Sequence, residues 1–411
     1  MTTEPAPRRV VLGVGAGIAA YKVCDLLRRL TEAGHEVRVV PTADALRFVG
    51  APTWSALSGN PVASDVWSDV HEVPHVRLGQ TADLLLIAPA TADLLAKAAH
   101  GIADDLLTNT LLTARCPVIV APAMHTEMWE HSATQSNVAT LRARGVTVLD
   151  PDVGRLTGAD TGRGRLPEPE VLFDLARGVL RRGSAAPDLG RRHVLVTAGG
   201  TREAVDPVRY LGNRSSGRQG YALAATAAAR GARVTLVAAN SELPDPAGVE
   251  VHHVESALEM RDAVWAVLGA VDAVAMAAAV ADFRPSSQTS SKIKKTVGAP
   301  EAIPLTANPD ILAELTRERN DAGRTHPVII GFAAETDNAV ENGRAKLASK
   351  GCDLLVVNEV GAGRAFGTTD NQAVILGRDG SERPVSRGPK EELADEVWDL
   401  VIPRLSDTQS N

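Results

Sequence analysis

Three stretches of the sequence carry residues whose types and spacing suit the binding of phosphorylated ligands. Gly13-Val-Gly-Ala-Gly17 follows a short apolar run, so its backbone N–H groups and the helix after it could face a phosphate. Asn213-Arg-Ser-Ser-Gly217 also precedes a helical segment, and Arg214 and Arg218 flank it with positive charge. Lys292-Ile-Lys-Lys295 offers cations that can neutralise a triphosphate and the charge that develops during group transfer.

Each of these stretches also has a plainer interpretation, and spacing alone leaves both open. Glycines at a strand-to-helix turn often serve only the backbone geometry. Ser215 or Ser216 could simply cap the helix that follows. A basic run such as Lys292–Lys295 is commonly a solvated surface.

A histidine and two proline-containing turns add candidate residues in the first half of the chain. His75 lies in Val73-Pro-His-Val-Arg-Leu78, where it is either an ordinary surface residue or a base that titrates near neutral pH. Two turns, Ala88-Pro-Ala-Thr-Ala-Asp-Leu94 and Ala121-Pro-Ala-Met-His-Thr-Glu-Met-Trp129, each follow a predicted strand. Both place proline and small residues where a flat ligand could lie close to the backbone.

Alternating strands and helices are predicted to position these residues. Apolar runs in the first half are separated by helical segments such as Ala19–Ala33 and Leu94–Gly101. The predicted strands are Val10–Val14, Glu36–Val40, Leu84–Ala88, Val118–Ala121 and Val146–Leu149. Strands that alternate with helices form a parallel sheet, whose ligands bind at the carboxyl ends of the strands. The turns at that edge should therefore carry the chemistry.

The same pattern restarts at Arg191, which divides the chain into two domains. The apolar run His193–Thr197 ends in Ala198-Gly-Gly200, and Gly217–Arg230 has helix composition. Further predicted strands are Val234–Val237, Ala273–Met276, Val328–Phe332 and Leu354–Val357. The predicted fold class is α/β, with two doubly wound, Rossmann-like parallel sheets. The predicted boundaries are residues 1–181 for the first domain, 182–190 for a linker and 191–411 for the second domain.

Composition limits the partners and the compartment. The 411 residues carry a net charge of −7, with basic residues scattered among more numerous acids, so no nucleic-acid partner is expected. Cys24, Cys116 and Cys352 are too few for a disulfide framework and too far apart for a metal site, which fits a reducing cytoplasm. The N-terminus lacks the apolar core of a signal peptide, and the longest apolar run, Ala273–Ala281, is far shorter than a membrane span. Small molecules are the expected partners.

These motifs occur together and in order in a known family. In the first half they are Gly17-Ile-Ala-Ala-Tyr-Lys22, His75-Val-Arg-Leu78, Ala88–Asp93, Gly101-Ile-Ala-Asp-Asp-Leu106 and Pro122–Trp129, which resemble the flavin-dependent cysteine decarboxylases. Beyond the linker, the match continues with Asp206-Pro-Val-Arg-Tyr210, Asn213-x-Ser-Ser-Gly217, Ala277–Asp282, the Lys-x-Lys-Lys signature at Lys292 and Gly331–Thr336. Nearly the whole chain resembles the bacterial bifunctional phosphopantothenoylcysteine decarboxylase/phosphopantothenate-cysteine ligases of coenzyme A biosynthesis.

The resemblance implies that the first domain is an FMN-dependent decarboxylase. An α-carboxylate leaves only if its electrons have an acceptor, which FMN creates by oxidising the neighbouring thiol to a thioaldehyde. The resulting enethiolate is then reduced and protonated to phosphopantetheine. By resemblance, the catalytic residues of this domain are His75, the base of the oxidative step, and His125, and the substrate is also contacted by Arg77, Arg163 and Arg165. The positions that match the flavin site are Gly15, Ala16, Thr42, Phe48, Ala90, Thr91 and Met124.

Two positions of the first domain depart from the family pattern. The family's Pro-x-Met-Asn motif is Pro122-Ala-Met-His125 here, so an imidazole replaces the amide that holds the substrate carboxylate, and it can still donate a hydrogen bond. Leu156–Pro169 resembles the flexible substrate flap, but Gly158 stands where the family has the cysteine that donates the last proton. Either another group or water protonates the enethiolate, or the reductive half-reaction is impaired.

The resemblance implies a CTP-dependent ligase in the second domain. CTP and Mg²⁺ would activate 4'-phosphopantothenate as its acyl-cytidylate, and the amine of cysteine would displace CMP to give 4'-phosphopantothenoylcysteine. Asn213 would hold the acyl-cytidylate during aminolysis, and Lys292 would assist its formation. Nucleotide and substrate contacts are assigned to Ala278, Asp282, Pro309, Asp310, Ile311, Leu312, Phe332, Lys346 and Lys350. Lys346 and Lys350 lie four residues apart in a helical segment, so both could reach one site. The resemblance assigns no Mg²⁺ ligands.

The resemblance also implies a homo-oligomer, in which decarboxylase trimers with FMN at the subunit contact are joined by ligase dimers into a dodecamer. Gly158 supports two alternatives to this function. One is a non-catalytic flavoprotein regulatory subunit, although His75 and the intact ligase motifs argue against it. The other is a ligase with an impaired decarboxylase domain. A third alternative is a pair of nicotinamide-binding domains. It is opposed because neither glycine-rich turn of this chain has a complete Gly-x-Gly-x-x-Gly followed by a ribose-binding acid. The choice between CTP and ATP, and feedback by a product such as coenzyme A, stay open.

Overall fold

The computed structural model describes residues 7–62, 73–156, 160–184, 187–246, 248–293, 302–335, 338–359 and 370–406. The chain divides into two compact units, residues 1–187 and 188–411, and each has its own sheet. Across the described ranges, no helix has both the length and the apolar character needed to cross a bilayer.

The first unit alternates strands and helices along the chain. Its elements are, in order, β1 (Arg9–Val14), α1 (Ala20–Glu32), β2 (Glu36–Pro41), a 3₁₀ turn (Ala45–Arg47), α2 (Ala51–Ser58), α3 (Pro74–Thr81), β3 (Leu84–Ala90), α4 (Ala92–His100), α5 (Leu106–Thr113), β4 (Val118–Pro122), α6 (Thr126–Glu130), α7 (Ser132–Ala143), β5 (Thr147–Val148), β6 (Asp152–Arg155), β7 (Thr161–Arg165) and α8 (Pro169–Arg182). Five strands form a parallel sheet in the order β2-β1-β3-β4-β5, which confirms the predicted fold class for this unit. The antiparallel pair β6–β7 lies outside that sheet.

The strand order reverses between β1 and β3, and this reversal locates the ligand-binding edge of the first sheet. The chain passes from β1 to β2 on one side of β1, and β3 then pairs with β1 on the other side. Connections that leave two neighbouring strands in opposite directions open a crevice at the carboxyl ends of those strands. The loops that follow Val14 and Ala90 border this crevice.

The central strands of this sheet are buried on both faces, which explains their continuous apolar runs. All seven residues of β3 are buried. Helix α1 covers the sheet with Val23, Leu26, Leu27 and Leu30, which recur at helical spacing and are buried. Each fully buried side chain of this kind contributes about 1.5–3 kcal/mol before the entropy of ordering is counted.

The second unit follows the same plan with a larger sheet. Its elements are, in order, β8 (His193–Gly199), β9 (Arg202–Ala204), β10 (Tyr210–Gly212), α9 (Arg218–Ala229), β11 (Arg233–Ala239), β12 (Val249–Val254), α10 (Ala257–Leu268), β13 (Ala273–Met276), β14 (Phe283–Pro285), β15 (Leu305–Ala307), α11 (Ile311–Asp321), β16 (Val328–Glu335), α12 (Ala339–Lys350), β17 (Leu354–Glu359), β18 (Asp370–Gly377), β19 (Glu382–Pro389) and α13 (Lys390–Ser406). The eight-stranded sheet has the order β12-β11-β8-β13-β16-β17-β18-β19, and its first six strands are parallel. Five of these six were predicted, and β12 was not.

The antiparallel edge formed by β18 and β19 extends the sheet beyond the predicted strands. Most residues of β19 are exposed or half-buried, as suits an edge strand. The prediction relied on continuous apolar runs, and those identify strands buried on both faces. β19 has no such run, so the sequence pattern did not reveal it. β18 does contain a largely buried apolar run, Ala373–Leu376, which the prediction missed.

A buried arginine joins the start of the second unit to its last helix. The side chain of Arg230 is 1% exposed and pairs with Asp188 at 2.6 Å, Asp395 at 3.2 Å and Asp399 at 2.8 Å. A buried guanidinium needs such partners, because an unpaired buried charge is strongly destabilising. These contacts hold the end of α9 against α13 and fix the place where the second unit begins.

Gly220 allows α9 to pack directly against β8. A Cβ at this position would lie 2.5 Å from the Cβ of Ala198 and 2.8 Å from the carbonyl oxygen of Thr197. We predict that Gly220→Ala destabilises this unit by about 1–3 kcal/mol, although alanine is the better helix former by about 1 kcal/mol. Hydrogen exchange of the α9 amides across a denaturant series measures the change in the full-length protein.

Gly269, at the end of α10, is the matched control for this substitution. Its φ of −68° is accessible to alanine, and a Cβ there would meet no atom within 4 Å. Gly269→Ala should therefore leave the protection of α9 unchanged and stabilise the helix end by about 0.4–1 kcal/mol. Equal protection of α9 in the two variants would contradict the packing argument.

Candidate active sites

The crevice of the first sheet is bordered by turns that bond to one another. Gly15, after β1, donates its backbone N–H to the carbonyl oxygen of Pro89 at 2.9 Å, and a Cβ on Gly15 would lie 2.5 Å from that oxygen. Thr42, after β2, donates its N–H to the carbonyl oxygen of Val14 at 2.9 Å. Only a glycine permits this close approach of the first and third turns.

The turns after β3 and β4 complete this border. Ala123 donates its backbone N–H to the carbonyl oxygen of Ala90 at 3.0 Å. Thr91 begins α4 as its N-cap, and its hydroxyl oxygen accepts the N–H of Leu94 at 3.2 Å. The structure therefore places at one sheet edge the predicted flavin contacts Gly15, Ala16, Thr42, Ala90, Thr91 and Met124.

These residues fit a flat, largely apolar ligand such as a flavin ring. The turn leaves space next to its backbone, because a Cβ on Gly17 would meet no atom within 4 Å. Phe48 follows the 3₁₀ turn after β2 and is 52% exposed, and Ile18 is 64% exposed, so both offer apolar surface to a ligand. The small side chain of the half-buried Ala16 also leaves room for a ring beside the main chain, whereas Ala90 is buried in the core.

His75 is held at the start of α3 by its backbone, while its ring is left without a partner. Its carbonyl oxygen accepts a hydrogen bond from the hydroxyl of Thr113 at 2.7 Å. Its ring Nδ1 is buried and makes no hydrogen bond to any described residue. Buried polar atoms nearly always have partners, so the unused hydrogen-bonding capacity of this nitrogen is a feature that a functional role would explain. Arg77 is exposed on the same helix.

The β6–β7 pair lies against the turn that follows β4. Met124 donates its backbone N–H to the carbonyl oxygen of Gly164 at 3.0 Å, and a Cβ on Gly164 would lie 2.0 Å from the carbonyl oxygen of Met124. This contact holds in place the strand that carries Arg163 and Arg165. Gly158, the flap position that departs from the family pattern, lies outside the described residues together with its two neighbours.

Both predicted arginines of β7 have acidic partners. Arg163 contacts Asp150 at 3.0 Å, and Arg165 contacts Glu168. Ion pairs as exposed as these contribute about 0–1 kcal/mol. A substrate carboxylate or phosphate could therefore replace either acid at little cost.

His125, the residue that departs from the Pro-x-Met-Asn motif, begins α6. Its carbonyl oxygen accepts the backbone N–H groups of Met128 and Trp129, each at 3.0 Å. The imidazole is exposed and makes no capping hydrogen bond to this helix. The main chain fixes the residue while its ring can bind a carboxylate, in keeping with the predicted role.

In the second unit, two buried threonines hold the segment that follows β13. The hydroxyl of Thr197 accepts the N–H of Ala278 at 3.2 Å, and the hydroxyl of Thr201 accepts the N–H of Ala281 at 2.9 Å. The turns after β8 and β13 are thereby joined. Ala278 and the exposed Asp282 both lie at the carboxyl edge of this sheet, where they were predicted.

The turn before α11 packs beside this segment. Asn308 donates its side-chain amide to the carbonyl oxygen of Ala281 at 2.8 Å and its backbone N–H to that of Asp282 at 2.9 Å. Asp310 then caps α11 by accepting the N–H of Ala313 at 3.1 Å. Three other predicted contacts belong to this turn and the helix start: Pro309 and Leu312, which are half-buried, and Ile311, which is buried.

The two predicted lysines of α12 have separate acidic partners. Lys350 pairs with Asp310, and the Nζ of Lys346 lies 3.8 Å from Glu335 at the end of β16. Phe332 is half-buried in the same strand. Each lysine thus compensates an acid next to the sheet edge, and the expectation that both ammonium groups reach one ligand stays a prediction.

Asn213 and the start of α9 form the other side of this edge. Asn213 is exposed and donates its side-chain amide to the carbonyl oxygen of Val280 at 2.9 Å. The N-cap of α9 is Gly217, with φ of +76°, and the hydroxyl of Ser215 accepts the N–H of Gly217 itself at 3.3 Å, not an N–H of the first helical turn. The interpretation of Ser215 or Ser216 as the cap is therefore wrong. The first-turn N–H groups remain available to an anion.

Lys292 is exposed on a segment that sequence reasoning could not place. The next residue, Ile293, hydrogen-bonds through its backbone to Asp206 and Arg209, in the loop between β9 and β10. The Asp-Pro-Val-Arg motif contributed to the resemblance, but no local signal connects it with a segment 87 residues further along. Lys294 and Lys295 lie outside the described residues.

Comparison with known proteins assigns each half of the chain to a family. The Flavoprotein family model matches residues 2–181, and the model for the DNA/pantothenate metabolism flavoprotein C-terminal domain matches residues 189–404. The Coenzyme A biosynthesis bifunctional protein CoaBC of Mycobacterium tuberculosis is 57% identical over 411 residues, which is 98% of this chain and 98% of that protein. The chain belongs to the CoaBC family. The CoaBC protein of Bacillus subtilis is 41% identical over 95% of each chain.

Membership of the CoaBC family defines the general activity. The protein is a bifunctional enzyme of coenzyme A biosynthesis, with a flavoprotein decarboxylase domain followed by a ligase domain.

Solved structures match the two halves separately. The C-terminal domain of a CoaBC protein has a TM-score of 0.46 and 34% identity, covering 54% of this chain and 100% of that one. A PPC decarboxylase variant complexed with pantothenoylaminoethenethiol has a TM-score of 0.39 and 32% identity, covering 42% and 97% respectively.

Gly164→Ala tests whether the β6–β7 pair must lie against the turn after β4. The added Cβ would meet the carbonyl oxygen of Met124 at 2.0 Å, so the pair would have to move away. We predict decarboxylation roughly tenfold to hundredfold slower, because displacement of substrate-positioning groups by about 1 Å has effects of this size. Ligation, assayed separately with its own substrates, should be unchanged.

Gly154, on the other strand of the same pair, provides the control. A Cβ there would lie 3.2 Å from side-chain atoms of Arg165, which need to move by only a few tenths of an ångström, far less than the displacement expected in Gly164→Ala. Gly154→Ala should therefore decarboxylate at nearly the wild-type rate. If both variants lost activity equally, the contact with Met124 would not be the cause.

Proposed function

We propose that the protein catalyses two consecutive steps of coenzyme A biosynthesis. The ligase domain, residues 191–411, would join cysteine to 4'-phosphopantothenate, and the decarboxylase domain, residues 1–181, would convert the resulting 4'-phosphopantothenoylcysteine to 4'-phosphopantetheine. Residues 182–190 would link the two domains. The observation that carries this proposal is the 57% identity to CoaBC across both domains.

In the decarboxylase domain, the chain would provide the groups that bind FMN and substrate, and the base that accepts the substrate proton. FMN, when bound, provides a reversible electron acceptor that lets the carboxylate leave. The turns around Gly15, Ala16, Thr42, Phe48, Ala90, Thr91 and Met124 would hold it. The ring of His75, whose Nδ1 has no partner among the described residues, would accept the substrate proton. His125 would bind the substrate carboxylate, and Arg77, Arg163 and Arg165 would neutralise its anionic groups.

In the ligase domain, CTP is the proposed co-substrate and Mg²⁺ would accompany its triphosphate. This ion is commonly held by one or two carboxylates together with substrate phosphates. Among the described residues, no group of three or more His, Cys, Asp or Glu could hold a metal. Lys292 would stabilise the charge that develops as the acyl-cytidylate forms. The proposed nucleotide and substrate contacts are Ala278, Asp282, Pro309, Asp310, Ile311, Leu312, Phe332, Lys346 and Lys350.

Asn213 would hold the acyl-cytidylate while the amine of cysteine attacks it. Its amide donates to Val280, so the side chain is fixed by one hydrogen bond and its carbonyl oxygen is left for a ligand. The proposed assembly is a homo-oligomer, in which decarboxylase trimers joined by ligase dimers give a dodecamer. The three cysteines are free thiols, which fits the cytoplasm as the proposed location.

A coupled assay tests the two steps together. With 4'-phosphopantothenate, cysteine, CTP and Mg²⁺, we predict that the protein accumulates 4'-phosphopantetheine and CO₂, followed by mass spectrometry. His75→Asn should stop at 4'-phosphopantothenoylcysteine, with decarboxylation slower by roughly a hundredfold or more, since an amide cannot act as the base. His100→Asn, which changes an exposed histidine at the end of α4, should turn over like the wild type. Normal turnover by His75→Asn would remove His75 from the mechanism.

A ligase with an impaired decarboxylase domain is the second candidate, and Gly158 favours it. Glycine cannot donate the proton that the family's cysteine provides. This candidate predicts that the wild-type protein itself accumulates 4'-phosphopantothenoylcysteine without 4'-phosphopantetheine. The same assay therefore separates the two candidates.

A further inference from the structure

The loop between β9 and β10 holds the segment that carries Lys292. Ile293, the next residue, donates its backbone N–H to Oδ2 of Asp206 at 3.1 Å. Its carbonyl oxygen accepts a hydrogen bond from Nη2 of Arg209 at 2.9 Å. Both backbone polar groups of Ile293 are therefore bound by one Asp–Arg pair, as a neighbouring strand would bind them.

Asp206 is the centre of this arrangement. Its side chain is fully buried, and it also accepts the backbone N–H of Val208 at 2.8 Å and that of Arg209 at 2.9 Å. The guanidinium of Arg209 donates to the same carboxylate through Nε at 2.9 Å. This hydrogen bond is the main reason that the pKa of Asp206 lies far below its usual range, so the carboxylate is ionised throughout the neutral range.

A second contact holds the same segment on the other side of Lys292. Thr289 donates both its backbone N–H and its hydroxyl to the carbonyl oxygen of Val205, each at 3.3 Å. The chain is thus bound three residues before Lys292 and one residue after it. The side chain of Lys292 is exposed, and no ion pair involves its ammonium group within the described part of the chain. Its main chain is fixed while its charge stays free for a ligand.

The β9–β10 ribbon that carries this loop is itself anchored to the body of the unit. Glu203 is buried and its carboxylate accepts the N–H of Ala257, at the start of α10, at 3.0 Å. Arg202 donates its backbone N–H to the carbonyl oxygen of Glu255 at 2.9 Å. Beyond β10 the same ribbon continues into Asn213. A rigid element therefore connects the position of Lys292 with that of Asn213.

We propose that Asp206 is a positioning residue for Lys292, acting through Arg209 and the backbone of Ile293. This inference rests on the proposed role of Lys292 in forming the acyl-cytidylate. A lysine on a free loop would sample many positions, and restricting its backbone keeps the ammonium group near the reacting phosphates. Asp206 does not itself need to touch substrate, because its hydrogen-bonding capacity is taken up by the protein.

Asp206→Asn tests this role, with Asp272→Asn as the matched control. Asp272 also accepts one backbone N–H, from His193 at 2.7 Å, and one arginine, Arg192 at 3.1 Å, but it lies at the amino ends of β8 and β13. With cysteine omitted, pyrophosphate release from CTP and 4'-phosphopantothenate reports acyl-cytidylate formation. We expect Asp206→Asn to slow this step roughly tenfold or more, and Asp272→Asn to leave it unchanged. A wild-type rate for Asp206→Asn would overturn the proposal.

A double variant that combines Asp206→Asn with Lys292→Gln distinguishes a positioning role of Asp206 from a general loss of structure. If Asp206 acts through Lys292, the double variant is no slower than Lys292→Gln alone, because residues that act as a unit are not additive. Multiplied effects would show that Asp206 acts by another route. If Lys292→Gln itself forms acyl-cytidylate at the wild-type rate, the proposed function of Lys292 fails, whatever Asp206 does.

Hydrogen exchange provides a direct readout of the anchor. The amide of Ile293 should exchange faster in Asp206→Asn than in the wild type, while the α9 amides keep their protection. If Asp206→Asn does not fold, Arg209→Lys is the substitute, because its side chain is 51% exposed and lysine keeps the charge while losing the fork that reaches Ile293. Unchanged exchange at Ile293 in a folded variant would also overturn the proposal.

Discussion

Both units depend on hydrogen bonds between neighbouring turns at the carboxyl edge of a parallel sheet. In the first unit the N–H of Gly15 donates to Pro89 at 2.9 Å, and in the second the N–H of Ala279 donates to Gly199 at 2.8 Å. Parallel strands end at a common edge, so their turns carry backbone polar groups that need partners. When one turn satisfies the next, those groups are paired and small residues are left facing the ligand. The bonds that close the fold therefore also shape both sites.

The sequence predicts this framework where burial imposes a simple pattern, and it fails where the pattern depends on tertiary context. Strand β3 is recognisable because it is buried on both faces, whereas β19 is largely exposed and has no apolar run. Serine is a common helix cap, yet Gly217 takes that position in α9 with a left-handed backbone. Many of the predicted site residues lie at the carboxyl edges of the two sheets. The rule that ligands bind at this edge depends only on the order of strands and helices, which the sequence pattern does predict. The bond between Asp206 and Ile293 spans 87 positions, so no local pattern could reveal it.

Four of the cations proposed to bind anionic substrates each have a carboxylate partner within the chain. Arg163 and Arg165 each contact a carboxylate, as do Lys346 and Lys350. Such partly exposed pairs contribute little to stability, so an anionic substrate can displace the acid without destabilising the fold. The pairs also limit repulsion among cations. Binding of an anionic substrate at these proposed positions would be an exchange of partners, and it would weaken as salt screens the charges.

Three of the proposed catalytic residues, His75, Lys292 and Asn213, share one structural property: the main chain or one bond fixes each residue, and a reactive atom stays unpaired. His75 is held through its carbonyl oxygen while its ring Nδ1 has no partner among the described residues. Lys292 is held through its neighbours, and Asn213 through its amide nitrogen. A reactive atom already bonded within the protein would have to break that bond before acting. Such anchoring preorganises each residue while its reactive atom stays unpaired, and the final orientation of the His75 ring would come from contacts with the substrate.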